Sequence, residues 1–145
     1  MAFNDEKRRF WHIDLTTRAG ARSAAYQGSI ACFIFCGMAV LGLLIFGGLA
    51  GISTPQGLSI AIGAGLEIVV GLVAGLRLRS GKGAYWGIAA AALAALELIG
   101  KVVALSIGGV VITGLVIIMT VQGVRGAFAL KSAAGFEDDD IDVFA

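Results

Sequence analysis

The chain has 145 residues, 58% of them hydrophobic and only 14% charged, with a formal net charge of +1, and its mean hydropathy is +0.91. A soluble domain carries about 25% charged residues, so the composition excludes an ordinary soluble fold, and near-neutrality gives no reason to expect nucleic acid as a partner. Four apolar runs of roughly 20 residues, the length a bilayer core requires, consume most of the chain and leave no room for a second folded domain.

The expected architecture is therefore an all-α membrane protein, a four-transmembrane-helix bundle over residues 25–128. A basic arm, 1–24, precedes it and an acidic tail, 129–145, follows. The arm holds Lys7, Arg8, Arg9, Arg18 and Arg22 among Phe10, Trp11, Ile13 and Leu15. Basic residues interleaved with aromatics suit a membrane interface, so a short interfacial helix is expected there. The arm shows no short apolar core followed by a small-residue cleavage site, and the first helix is expected to stay in the mature protein.

That first helix is expected over 25–51, opened by Tyr26, with Gly28, Cys32, Cys36, Ala39 and Gly47 as its small residues. Cys32 and Cys36 are four apart, on successive turns of one helix. A disulfide is geometrically poor there, and the pair reads as two small apolar fillers.

The second helix is expected over 55–78. Thr54 can cap it, and Pro55 suits the first helical position, where its missing N–H would have no partner anyway. Counting by four gives Ser59, Gly63, Glu67, Gly71 and Gly75. Positions four apart neighbour one another on a helix surface, and small residues let helices approach closely in a bilayer. The row is expected to be a helix-packing face with an acid in its middle. The connector Ser80-Gly81-Lys82-Gly83 has the wrong glycine spacing for a phosphate loop, and Gly83 stands where a magnesium-binding hydroxyl would be needed. It reads as a basic turn.

The third helix is expected over 84–104. Tyr85 and Trp86 form an interfacial belt at its start; Ala89 to Ala95 is mostly alanine; Glu97 and Lys101 follow one turn apart, in the favourable order. The fourth is expected over 106–128, with Ser106, Gly109, Thr113, Thr120 and Gly123 as its small and polar residues. The tail places Glu137, Asp138, Asp139, Asp140 and Asp142 around Ile141, Val143 and Phe144, an arrangement that could dock a cytoplasmic partner.

Orientation follows from the cations. With both termini in the cytoplasm (N-in/C-in), ten of the eleven lysines and arginines fall inside and only Lys101 lies near the outer side. This bias obeys the positive-inside rule and points to a multi-pass protein of a bacterial inner membrane. At 1.5 Å per residue, Glu67 then lies ~18 Å below the outer surface, Glu97 ~10 Å and Lys101 ~5 Å.

Glu67, Glu97 and Lys101, with Thr113, are the candidate intramembrane polar site. An ionisable residue at a helix centre costs about 2.5–3.5 kcal/mol on insertion scales. Glu97 and Lys101 are expected to offset one another, and Glu67 to be protonated or hydrogen-bonded to Thr113 or Ser59. Such residues either line a proton or cation route or tie helices together. Their staggered depths, with nothing ionisable between Glu67 and the basic inner turn, favour the second role.

Catalytic, cofactor and metal sites are not expected. His12 is the only histidine and lies in the arm, so neither a Ser-His-Asp set nor a haem held by two histidines can form, and no metal-ligand cluster appears. The expected partners are the lipid bilayer, copies of the chain or other membrane subunits. The leading function is a non-enzymatic accessory or scaffold subunit. The alternative is a small proton- or cation-linked channel or transporter using the same three charges.

Overall fold

The starts of the first two helices are set by local capping. The computed structural model describes residues 15–47 and 52–132. Helix α1 is Arg18–Gly42 and continues as one π-helical segment, Leu43–Gly47. Helices α2, α3 and α4 are Pro55–Arg79, Ala84–Val103 and Ile107–Lys131. The Thr17 hydroxyl accepts from the Gly20 N–H at 3.1 Å, and that of Thr54 from the Gly57 N–H at 3.1 Å. Each satisfies one of the orphan donors of a first helical turn.

The bounds of α1 differ from expectation. It begins at Arg18 rather than Ala25, because the Thr17 cap and the alanines after it sustain a helix where the apolar run has already ended. Helix α4 likewise continues to Lys131, past Phe128. The expected interfacial helix around Phe10, Trp11 and Ile13, the acidic tail from Glu137 to Ala145, and residues 48–51 of the expected first span lie outside the described residues.

Two tight turns share one design. After α2, the Gly81 N–H donates to the Leu78 carbonyl at 2.9 Å and the Lys82 N–H to that of Arg77 at 3.0 Å. After α3, Leu105 and Ser106 make the same two bonds, to Val102 and Lys101. Both are Schellman caps, which need one residue in the left-handed region. Gly81 fills that position in the first turn at φ +71°, and Leu105 fills it in the second at φ +53°.

Short turns make consecutive helices antiparallel neighbours. Each packs against the next, and α1 against α4 closes the ring; the diagonal pairs barely touch. The α1–α4 contact is the most extensive of the four and α2–α3 the least. We call the end that holds the start of α1, the α2–α3 turn and the end of α4 basal, and the opposite end distal.

All four helices are long and apolar enough to cross a membrane. Large apolar side chains such as Leu41, Ile62, Leu66, Val69, Leu76, Leu96 and Ile99 are exposed on the outside, and apolar exposure on this scale marks a surface that meets something other than water. These features together describe a small multi-pass membrane bundle. No strand occurs among the described residues.

The interior is built mainly from small side chains: Ala21, Ala24, Ala25, Ala31, Cys32, Ala39, Ala74, Ala84, Ala90, Ala94 and Ala127, with Phe35 and Leu78 the largest sealed ones. Lipid tails are as apolar as leucine, so association in a bilayer depends on close van der Waals contact, and small residues provide it. At the tightest crossing Gly28 of α1 faces Gly123 of α4. A Cβ on either would stand 2.5 Å from the other's Cα.

The core is not spread evenly along the bundle. On α2, Val70, Gly71, Ala74, Gly75 and Leu78 are buried, but nothing from Leu58 to Val69 is; on α3 burial stops at Ala94. The basal part is tight, and the distal ends of α2 and α3 stand open. The candidate polar residues lie in that open part.

Candidate intramembrane polar site

Helix α3 carries Glu97 and Lys101 on adjacent turns. Helical side chains lean toward their own N-terminus, so the Lys101 side chain runs back from the distal end toward the bundle centre. Its Nζ lies 2.6 Å from Glu97 Oε1 and donates to Thr113 Oγ1 of α4 at 2.8 Å. One ammonium thus ties two turns of α3 to its neighbour.

The reach to α4 requires a gap in the α4 surface. Gly109, one turn before Thr113, leaves it: a Cβ there would come 3.1 Å from Lys101 Cδ. Gly109 and Thr113 are four apart on one face. One makes a channel for the aliphatic stem and the other receives the charge. Lys101 and Glu97 retain 20% and 23% side-chain exposure, so the pair is shielded without being sealed.

Glu97 Oε2 is buried and has no hydrogen-bond partner. Buried acceptors are ordinarily satisfied, which makes this oxygen the conspicuous feature of the site. Glu67 of α2 is half-buried. The helices gather Glu97, Lys101 and Thr113 into one hydrogen-bonded cluster toward the distal end, and no hydrogen bond or ion pair joins Glu67, at the middle of α2, to them.

Thr113 pairs with Lys101 and not with Glu67. The reason lies in the ring: α2 and α4 are diagonal and barely touch, with α3 filling the position between them. Ser59 is exposed and two turns along α2 from Glu67. It does not serve the carboxylate either.

The row on α2 divides. Gly71 and Gly75 are buried against α1. A Cβ on Gly71 would meet the Cys32 carbonyl oxygen at 3.2 Å and Cys36 Cβ at 3.3 Å; on Gly75 it would meet the Phe33 ring at 2.8 Å. Ser59 and Gly63 are exposed, and a Cβ on Gly63 would find nothing within 4 Å. The division runs along the axis rather than around it. At 3.6 residues per turn, Gly63 lies within about 20° of both Val70 and Ala74 around the helix, yet those two are buried and Gly63 is exposed. The basal half of the row packs on α1, the distal half is uncovered where the ends of α2 and α3 stand open, and Glu67 lies between the two.

Among the described residues there is no group of three or more histidines, cysteines or carboxylates placed to hold a metal ion, and His12 lies outside them. Cys32 and Cys36 are free thiols. Gly109 as the passage for Lys101, and the meeting of Gly28 with Gly123, are functional details that sequence reasoning missed. All three glycines stood in small-residue rows, but no signal along the chain told which helix each row would face. Compared with protein-family models, curated proteins and solved structures, the chain matches none of them.

Proposed function

We propose that this chain is a non-enzymatic accessory or scaffold subunit of a homo- or hetero-oligomeric complex in a bacterial inner membrane, with both termini cytoplasmic. One observation carries the reading. The distal half of α2 leaves Ser59 and Gly63 exposed and Glu67 half-buried, with open space at Gly63. By depth this face lies within the hydrocarbon, where an uncovered carboxylate costs about 2.5–3.5 kcal/mol. A second helix seated on the small residues would cover the acid and gain close contact. The expected orientation is supported by the described cations: Arg18, Arg22, Arg77, Arg79, Lys82, Arg125 and Lys131 are all basal, and Lys101 alone is distal.

Purification from the native membrane in a mild detergent, followed by mass measurement of the intact particle, tests this. The expected particle contains a second copy or a stoichiometric membrane partner. Gly63→Ile should release it while the helical circular dichroism of the chain is unchanged. A lone chain in the wild type, or a particle indifferent to Gly63→Ile, would overturn the proposal.

The channel or transporter reading is favoured by a different observation, the unpartnered Glu97 Oε2. Its own test is flux into liposomes. A pH-dependent current that disappears in Glu67→Gln would replace the scaffold reading.

A further inference from the structure

The basal rim carries a cluster that the polar site does not use. The Gly81 turn lies against the end of α4, and a Cβ on Gly81 would meet Leu130 Cδ1 at 3.0 Å. This brings Lys131 beside the turn that bears Arg77, Arg79 and Lys82, all of them exposed. Just inside the cations, the Tyr85 ring of α3 meets Phe128 of α4 edge to face, with centroids 6.0 Å apart. Lys131 Nζ stands over the Tyr85 ring, 5.5 Å from its centroid. Tyr85 itself is 69% exposed.

The turn fixes the backbone that carries its cations. The Schellman cap spends the Arg77 carbonyl on the Lys82 N–H, and Gly83, at φ +125°, packs directly on the Arg77 side chain. No described carboxylate lies at this end, because Glu67 and Glu97 both belong to the distal part. None of the four cations makes an ion pair with a described residue, since the only such pair is Lys101 with Glu97.

We propose that this rim, between the α2–α3 turn and the end of α4, binds the headgroup of an anionic phospholipid. A phospholipid presents a phosphate at the membrane surface with glycerol and the first acyl carbons just beneath it. The rim presents the complement at the same two levels: Arg77, Arg79, Lys82 and Lys131 for the phosphate, and the Tyr85–Phe128 pair for the carbons below. A soluble anion would need only the cations and would leave the aromatic pair uncovered. Basic clusters at the end of a membrane helix attract anionic lipid at about 1 kcal/mol per residue, or about five-fold in affinity.

The test uses the full chain carrying Trp11→Phe, so that Trp86, next to Tyr85, is the sole tryptophan. It is placed in phosphatidylcholine vesicles containing either brominated phosphatidylglycerol or brominated phosphatidylcholine at equal mole fraction, and Trp86 fluorescence quenching is read. The brominated phosphatidylglycerol should quench with several-fold higher relative affinity. Arg79→Gln, Lys82→Gln and Lys131→Gln together should bring the ratio to about one, while Arg18→Gln with Arg22→Gln, also basal, should leave it standing. Equal quenching by the two lipids in the unmutated rim overturns the proposal without requiring any rim variant to fold. So does equal loss in the two variant sets, which would mean diffuse basal charge. A preference that emerges only after deletion of residues 137–145 would also overturn it, by showing that the chain's own carboxylates occupy the rim.

Discussion

Replacing Gly28 by alanine should separate α1 from α4. A Cβ at residue 28 would stand 2.5 Å from Gly123 Cα, 3.2 Å from its nitrogen and 3.3 Å from the Met119 carbonyl oxygen. All three are backbone atoms, so no rotamer change relieves the overlap. Non-bonded carbons rest about 3.5–4.0 Å apart, which requires the helices to part locally by about 1 Å. A gap of that size forfeits a quarter to a half of each contact's attraction, and the loss extends to Ala24, Ala31, Val116 and Val124, which are buried nearby. Overpacking of this kind costs typically 1–3 kcal/mol, and about 2 kcal/mol is expected here. Gly123→Ala meets the same obstacle from the other side and should cost as much. The double variant should cost clearly less than the sum, because the first methyl already opens the space that the second needs. Gly37→Ala is the control, since a Cβ there has nothing within 4 Å. Reversible unfolding in mixed micelles, followed by circular dichroism, measures all four. Equal stability of Gly28→Ala and Gly37→Ala, or strict additivity of the pair, would refute this account of the crossing.

Lys101→Met should destabilise the bundle by about 2 kcal/mol in the same assay, less than the 3–5 kcal/mol of a sealed pair, because about a fifth of each partner's side chain remains exposed. Adding Glu97→Gln should restore much of that loss, and a double variant no better than the single would show that Glu97 does not depend on its cation. Leu105→Gly should raise the melting temperature: Leu105 holds φ +53°, a region that costs a side chain about 1–2 kcal/mol and glycine almost nothing. A neutral or lower melting temperature would mean that the turn gains something from the leucine that its backbone angle does not reveal.

The helices could be read from the chain because their causes are local. An apolar run of membrane length, a Thr-Pro start and a glycine at a helix end act over a few residues, and they yield α2 and α3 almost as observed. The first helix escaped the same reading at its start because hydropathy ends near Arg22 whereas helix propensity and the Thr17 cap do not. The α3–α4 turn carries no warning at all, since a leucine takes the left-handed position that glycine ordinarily fills.

Which residues face one another is a different kind of fact. Glu97, Lys101 and Thr113 could be singled out by their rarity among apolar neighbours, but the choice of Lys101 over Glu67 as the partner of Thr113 depends on α3 standing between α2 and α4. The glycine row of α2 is visible to anyone counting by four. Its division between a buried basal half and an exposed distal half comes from where the ends of α2 and α3 part, which no single helix encodes. Composition and capping act along one strand of chain, and they fix the elements. The closing of α1 on α4 joins residues nearly a hundred positions apart, and only that closure decides which small residues become contacts and which stay exposed.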